Sequence, residues 1–243
     1  MEQIDYSWSE KNSENIEDII IDTSSDQTET GTTKLSTRNN LQIMRRLFHM
    51  GNGIALATLY LISFSHEQMI HFIGTIACGI YIIEQIRINY PETASKFIPI
   101  TRFIIRAEEQ LKESAMVPYA IALLLTIITF PKNIALVGIY TLALADPLSA
   151  LVGIKFGTIK IGENRTLQGS MAFFFSTFFS ALFVLLSFTE YSFGLLVFAS
   201  CFLLALATTL FDMINIKIDD NITIPLFTSF AFWLICETLG LVI

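Results

Sequence analysis

Charge is what this chain has least of. Only 15% of its 243 residues are Asp, Glu, Lys or Arg, where a soluble globular domain carries about 25%. The little charge present is also uneven. Nine of the 22 acids and a single base, Lys11, fall in residues 1–30. The rest of the chain is close to neutral, so the formal net charge of −7 belongs to that first stretch and says nothing about a substrate. Cysteine is scarce as well: Cys78, Cys201 and Cys236 each sit inside an apolar run, and none has a Cys-x-x-Cys partner. That excludes a disulfide scaffold and a thiolate metal site, and predicts three small core residues. The N-terminus lacks the basic start and apolar run of a secretory signal. Residues 1–38 are acidic, rich in Ser and Thr, and too poor in apolar side chains to bury a core. They are expected to form a disordered tail, with 39–243 as the catalytic membrane domain.

What is present in quantity is apolar length. Mean hydropathy is +0.58, and a helix needs about 20 mostly apolar residues to cross a bilayer. Seven segments qualify, at roughly 46–64, 69–88, 115–131, 134–153, 170–188, 192–211 and 224–243. The breaks between them have physical causes. Pro91 and Pro99 follow the second segment, Pro131 and Lys132 divide the third from the fourth, and Glu190 divides the fifth from the sixth. Pro225 fits the first turn of the seventh. Asp146-Pro147 interrupts the fourth. The fold class read here is all-α: a polytopic membrane helix bundle of about seven transmembrane helices. The 21 phenylalanines are expected to face lipid and fill packing sites.

Lysine and arginine set the orientation of such a bundle. With seven spans, the N-terminus and the loops near 89–114, 154–169 and 212–223 share one side and hold 14 of the 15 bases; Lys132 alone falls on the other. The N-terminus is therefore expected in the cytoplasm and the C-terminus on the opposite side. Within 89–114, Arg102, Arg106, Glu108, Glu109 and Lys112 alternate with Phe103, Ile104, Ile105 and Leu111. That pattern suits an amphipathic helix lying in the interface.

Ionisable residues at membrane depth are functional candidates by default, and four clusters qualify, all at cytoplasmic span ends. Arg45, Arg46 and His49 open the first span on one helix face, followed by Gly51 and Gly53. Glu84 and Arg87 end the second at a spacing that allows an intrahelical ion pair. The third cluster is the richest: Asp146 in an apolar helix, then Gly153 and Gly157 four apart, Lys155, Lys160 and Arg165 as three cations, and Gly169-Ser170 opening the fifth span. Small residues at that spacing permit tight packing or backbone approach to phosphate, and a helix start with free N–H groups favours an anion. A carboxylate for a metal, with cations and N–H groups for phosphate oxygens, is the inventory a metal–polyphosphate needs. The fourth cluster is Asp212 with Asp219-Asp220-Asn221, hard-cation ligand chemistry, although Asn221 could instead cap the seventh span. Two leads are set aside. His66-Glu67 with His71 has the wrong spacing for a zinc-protease helix, and the sequons at Asn164 and Asn221 fall on the cytoplasmic side.

In this order the clusters resemble the CTP-dependent lipid kinase family of dolichol kinase, phytol kinase and yeast-type diacylglycerol kinase. The matching residues are Arg45, Arg46 and His49; Glu84 and Arg87; Asp146, Ala150, Gly153 and Gly157; Lys160, Arg165, Gly169 and Ser170; and Asp219, Asp220, Asn221, Ile224 and Pro225. They span roughly 42–230. Gln168 stands where many members carry Glu, Arg165 replaces a usual Lys, and Asp212 stands where Glu often precedes the closing motif. The resemblance implies transfer of the terminal phosphate of CTP, with Mg2+ or another divalent cation, to the hydroxyl of a membrane lipid alcohol such as dolichol, phytol or diacylglycerol. Under that reading Asp146, Asp220 and Asn221 hold the metal, and Lys155, Lys160 and Arg165 neutralise the triphosphate. Asp219 or Asp212 serves as base, and Arg45, Arg46 and His49 complete the phosphate site or orient the headgroup. Partners are then CTP, a membrane lipid and the bilayer, with no nucleic acid.

Two other activities were weighed. A phosphatidate cytidylyltransferase also joins CTP to a lipid, but its Pro-Gly-His-Gly-Gly and Asp-Arg-x-Asp signature is missing. A transporter would place charges at the midplane of broken helices, whereas here they crowd one interface and no inverted repeat is evident.

Overall fold

A computed structural model describes residues 38–90, 116–162, 165–214 and 218–241. The acidic tail and the amphipathic segment expected within 89–114 lie outside the described residues, apart from their last and first positions. So does the side chain of Arg45.

Helix accounts for nearly all of what is described. In chain order the elements are α1 (Arg38–Ile62), α2 (His66–Asn89), α3 (Met116–Thr129), α4 (Lys132–Tyr140), a π-helical turn (Thr141–Ala145), α5 (Asp146–Phe156), α6 (Leu167–Phe188), α7 (Leu195–Asp212) and α8 (Asp220–Leu239). Every expected apolar segment coincides with one of them. Five stretches are long and apolar enough to cross a membrane: α2, the continuous Lys132–Phe156 run, α6, α7 and α8. The described part of α3 is a shorter apolar helix of 14 residues, and α1 is a 25-residue helix whose first half is polar. The chain is an all-α membrane helix bundle.

The expected break at Asp146-Pro147 is not a break. Proline has no N–H to give and crowds the carbonyl four residues back. The helix absorbs this by widening into the π turn directly before Asp146, so α4 and α5 run on as one 25-residue span, the most enclosed of the five. Isolated π turns inside α-helices are found frequently at functional sites.

Glycines set how closely the helices approach. A Cβ on Gly53 would lie 2.5 Å from that of Ala143, which docks α1 on the π turn. One on Gly138 would lie 2.2 Å from Ser229 Oγ and 2.7 Å from Pro225 O, so α4 and α8 meet backbone to backbone. Ser229 Oγ donates across that contact to Ile134 O at 3.3 Å. One on Gly169 would lie 2.7 Å from Ser149 O, joining α6 to α5. Around these contacts Leu136, Ile139, Val184, Leu204 and Phe232 are buried in the main core. The phenylalanines divide as expected: Phe173 and Phe232 are buried, while Phe175, Phe179, Phe183 and Phe202 face outward. Cys201 and Cys236 are core residues, but Cys78 is exposed on α2, contrary to the sequence expectation, in an open groove shared with Leu124 and Ile128 of α3.

At the end remote from the polar clusters, Lys132 Nζ donates to the carbonyls of Leu61 and Phe64 at 3.3 and 2.8 Å and so caps the end of α1. His66 shares a 2.6 Å hydrogen bond with the Tyr60 hydroxyl. That gives the histidine a structural role and agrees with setting the zinc-like motif aside.

Candidate functional site

The helix ends bring Asp212 and Asp220 onto Arg165, with Asp146 and Asp219 in the same neighbourhood. Thr166 caps α6, accepting from the Gly169 N–H at 3.2 Å, and this fixes Arg165 one residue before the cap. Its Nη2 donates to Asp212 Oδ1, at the end of α7, at 2.8 Å and to Asp220 Oδ2, in the first turn of α8, at 3.3 Å. One guanidinium thus ties the α5–α6 connection to two further helices. Asp146, the first residue of α5, faces Arg46 and Arg165 as attracting charges and Asp220 and Asp219 as repelling ones. Asp212 feels Arg165, Asp146 and Asp220 in turn. Residues from α1, α5, the α5–α6 connection, α7 and the start of α8 therefore share one neighbourhood, although their positions span most of the sequence.

Among the described residues, two arginines face four carboxylates, and the side chain of Arg45 lies outside them. The other cations expected here lie elsewhere: Lys155 and Lys160 are exposed, and neither is among the charges acting on Asp146. The Glu84–Arg87 pair forms as its spacing predicts, two-pronged and buried, with Nη2–Oε1 at 2.6 Å and Nε–Oε2 at 3.0 Å. It too is absent from the charges that face Asp146.

Asp212 is held most tightly. Its side chain is 2% exposed, Oδ1 is fixed by Arg165, and Oδ2 is buried with no hydrogen-bond partner among the described residues. Ser170 Oγ is likewise buried without a partner among them. Near the opening of α1, the His49 ring packs edge-on against Tyr119 at 4.7 Å between centroids.

Two local expectations need correction. The first concerns α6, which starts three residues earlier than expected because Thr166 provides a cap. The Gly169 N–H goes to Thr166 Oγ1 and the Ser170 N–H to Thr166 O, so neither is free for an anion. The second concerns the cap of α8. It is Asp219, whose Oδ1 accepts from the Asn221 N–H at 2.9 Å, and not Asn221, which lies inside the first turn. Gly153 and Gly157 serve close packing. Their added Cβ atoms would lie 3.0 and 2.9 Å from Thr166 Oγ1, so both glycines let the α5 end close onto the α6 cap. Gln168, where the family often has Glu, uses both ends of its amide. Oε1 accepts from the N–H groups of Thr158 and Ile159 at 3.1 and 3.4 Å, and Nε2 bonds Thr158 Oγ1 at 2.5 Å. The bridging role of Arg165 is the feature sequence reasoning missed. Its partners are 47 and 55 residues away, and no local pattern reports that.

Among the described residues no three His, Cys, Asp or Glu side chains converge into a ready-made metal cage. The donor chemistry nevertheless suits a hard cation: an excess of carboxylates and one buried carboxylate oxygen without a partner among the described residues, with Asn221 next in sequence to Asp220. Magnesium is usually held in this partial way, by one or two carboxylates with phosphates and water completing the shell.

No family model and no solved structure matches the chain. Among curated proteins it is 24% identical over 135 residues to CTP-dependent diacylglycerol kinase 1 of Saccharomyces cerevisiae, covering 55% of this chain and 47% of the yeast protein. It is 29% identical over 127 residues to the probable chloroplastic phytol kinase 1 of Oryza sativa subsp. japonica, covering 48% of this chain and 40% of the rice protein. An uncharacterized protein of Methanocaldococcus jannaschii is 28% identical over 195 residues, 78% of this chain and 91% of that protein. The chain spans less than two thirds of the length of the named kinases it matches. Together with the motif order, these similarities make the chain resemble the CTP-dependent lipid kinases.

Proposed function

We propose that the chain is a membrane lipid kinase that transfers the terminal phosphate of CTP to the hydroxyl of a lipid alcohol. The observation that carries this reading is the excess, among the described residues, of four carboxylates over two guanidinium groups at one end of a membrane bundle. A bare polyphosphate would be repelled there, whereas a nucleotide arriving with a divalent cation is attracted. Held through Asp146, Asp220 and the Asn221 amide, such a cation would neutralise charge on the phosphates. Phosphoryl transfer asks a protein mainly for positioning and charge compensation. Arg46 and Arg165 are the cations placed to stabilise the transferring group. Asp219 is occupied as the α8 cap, so Asp212, with one oxygen unpartnered, is the stronger candidate to accept the hydroxyl proton. The bilayer supplies the lipid and the aqueous side supplies the nucleotide, which suits a site made of helix ends. The positive-inside pattern puts that side in the cytoplasm.

The test is incorporation of label. The protein is purified in detergent and incubated with CTP labelled on its terminal phosphate, magnesium and a panel of lipid alcohols, and the organic phase is counted. Label should enter one class of alcohol and fall at least 100-fold in Asp146→Asn, the scale on which removing one charge-stabilising group acts. A phosphatidate-dependent product carrying the cytidine, with none labelled from the terminal position, would instead identify a cytidylyltransferase.

A further inference from the structure

The α5–α6 connection is constructed, not slack. The Gly157 N–H returns to Gly153 O and ends α5. Its arms are then paired: Ile161 N–H donates to Arg165 O at 3.1 Å, Leu167 N–H donates to Ile159 O at 2.9 Å, and Lys160 stands opposite Thr166. Gln168 pins the first arm from below through three contacts to Thr158 and Ile159. A connection held this firmly still leaves Ile154, Phe156 and Ile159 exposed at 53%, 57% and 53%. In an extended arm, Ile159 and Ile161 project to one side and Lys160 to the other. Lys155 and Lys160 are exposed, and neither forms an ion pair among the described residues. Lys155 Nζ sits 5.3 Å from the centroid of the Phe156 ring, which lays its stem along the apolar patch with the charge at the tip.

Apolar and aromatic side chains interleaved with unpaired lysines, at the turn between two membrane-length helices, match the chemistry of the bilayer interface. Apolar groups there enter the boundary with the acyl chains while cations meet lipid phosphates. We propose that residues 154–161 form a docking element for anionic phospholipids, with Ile154, Phe156 and Ile159 in the acyl boundary and Lys155 and Lys160 on the headgroup charge. Charge selects this occupant over a second copy of the chain, because a twofold contact would set the same two lysines against themselves. The other arm of the connection carries Arg165, so the element that grips the lipid surface also holds Asp212 and Asp220.

Fluorescence on Phe156→Trp tests this without any assay of catalysis. The full-length variant is reconstituted in phosphatidylcholine bilayers, and the background of Trp8 and Trp233 is taken from the unaltered chain. Phosphatidylcholine with brominated chains should quench the reporter. Brominated phosphatidylserine at the same mole fraction should quench it more strongly, reflecting local enrichment of about fivefold for each lysine near the surface. Lys155→Gln with Lys160→Gln on that reporter should remove the excess, and so should high salt acting on Phe156→Trp alone. The salt titration decides the matter even if the triple variant does not insert. No quenching by either lipid places the element in water, and equal quenching shows no preference for charge; each overturns the proposal.

Discussion

Removing the guanidinium of Arg165 should destabilise the bundle through one buried partner. In Arg165→Met the Asp212 carboxyl, 2% exposed, loses its compensating contact among the described residues and must either stay charged without it or take up a proton, and both cost stability. Breaking a buried pair from one side costs about 3–5 kcal/mol. Arg165 itself is 25% exposed, so water screens part of the interaction and the expected loss is about 1–3 kcal/mol. The second arm adds little, since Asp220 is 58% exposed and exposed pairs contribute about 0–1 kcal/mol. In a chain of this size that loss lowers the midpoint of thermal unfolding by roughly 3–10 °C, readable by circular dichroism in detergent. The diagnostic is the double variant. Asp212→Asn in the Arg165→Met background should recover most of the loss, and Asp220→Asn should recover almost none. If Arg165→Met unfolds within about 1 °C of the unaltered protein, or if the two aspartate changes rescue equally, the clip is not the energetic link between the α5–α6 connection and α7.

Other expectations follow from packing and local bonding. Gly138→Ala places a methyl against a carbonyl that cannot swing aside, at 2.7 Å from Pro225 O, and should cost about 1–3 kcal/mol; Ser229→Ala should relieve only part of it. Gly51→Ala meets nothing within 4 Å on a helix and should stabilise by about 0.5–1 kcal/mol. Cys78→Leu, on an exposed face, should leave stability within about 0.5 kcal/mol, while Cys201→Leu, fully buried, should cost about 1–3 kcal/mol. Gln168→Leu removes three contacts to Thr158 and Ile159 and should cost about 1 kcal/mol. All four comparisons are read by unfolding in one detergent.

The spans were legible in the sequence because apolar length and its breakers act locally. Pro131 and the acidic run at Asp219 end or start helices where they stand, whatever surrounds them. The tight glycine contacts were half legible: Gly153 and Gly157 were singled out, but spacing alone could not tell helix packing from phosphate approach, and the structure places Thr166 against both. The three cations Lys155, Lys160 and Arg165 look like one group over eleven residues. Lys155, however, is exposed on the last turn of α5, and after the helix stops at Gly157 the paired arms leave Lys160 exposed and turn Arg165 toward Asp212. The start of α6 was read three residues late because the apolar run begins after Gly169, whereas the helix begins where Thr166 can take up its amide. The link from Arg165 to Asp212 and Asp220 is purely tertiary, and only the assembled bundle reveals it.

The π turn before Asp146 makes the length of that span a determinant of chemistry. Each residue advances a helix by about 100°, and the wide turn holds one residue more than a regular helix would need to cover the same rise. Deleting a single residue within Thr141–Ala145 would let the helix close into ordinary pitch. The five residues of the wide turn advance the chain about as far around the axis as roughly four of a regular helix, so Asp146 would stay on the face it shares with Arg46 and Arg165. Removing or adding a residue elsewhere in the span would instead rotate Asp146 by about 100°. The wide turn is therefore the one place where this span can lose a residue without moving its chemistry.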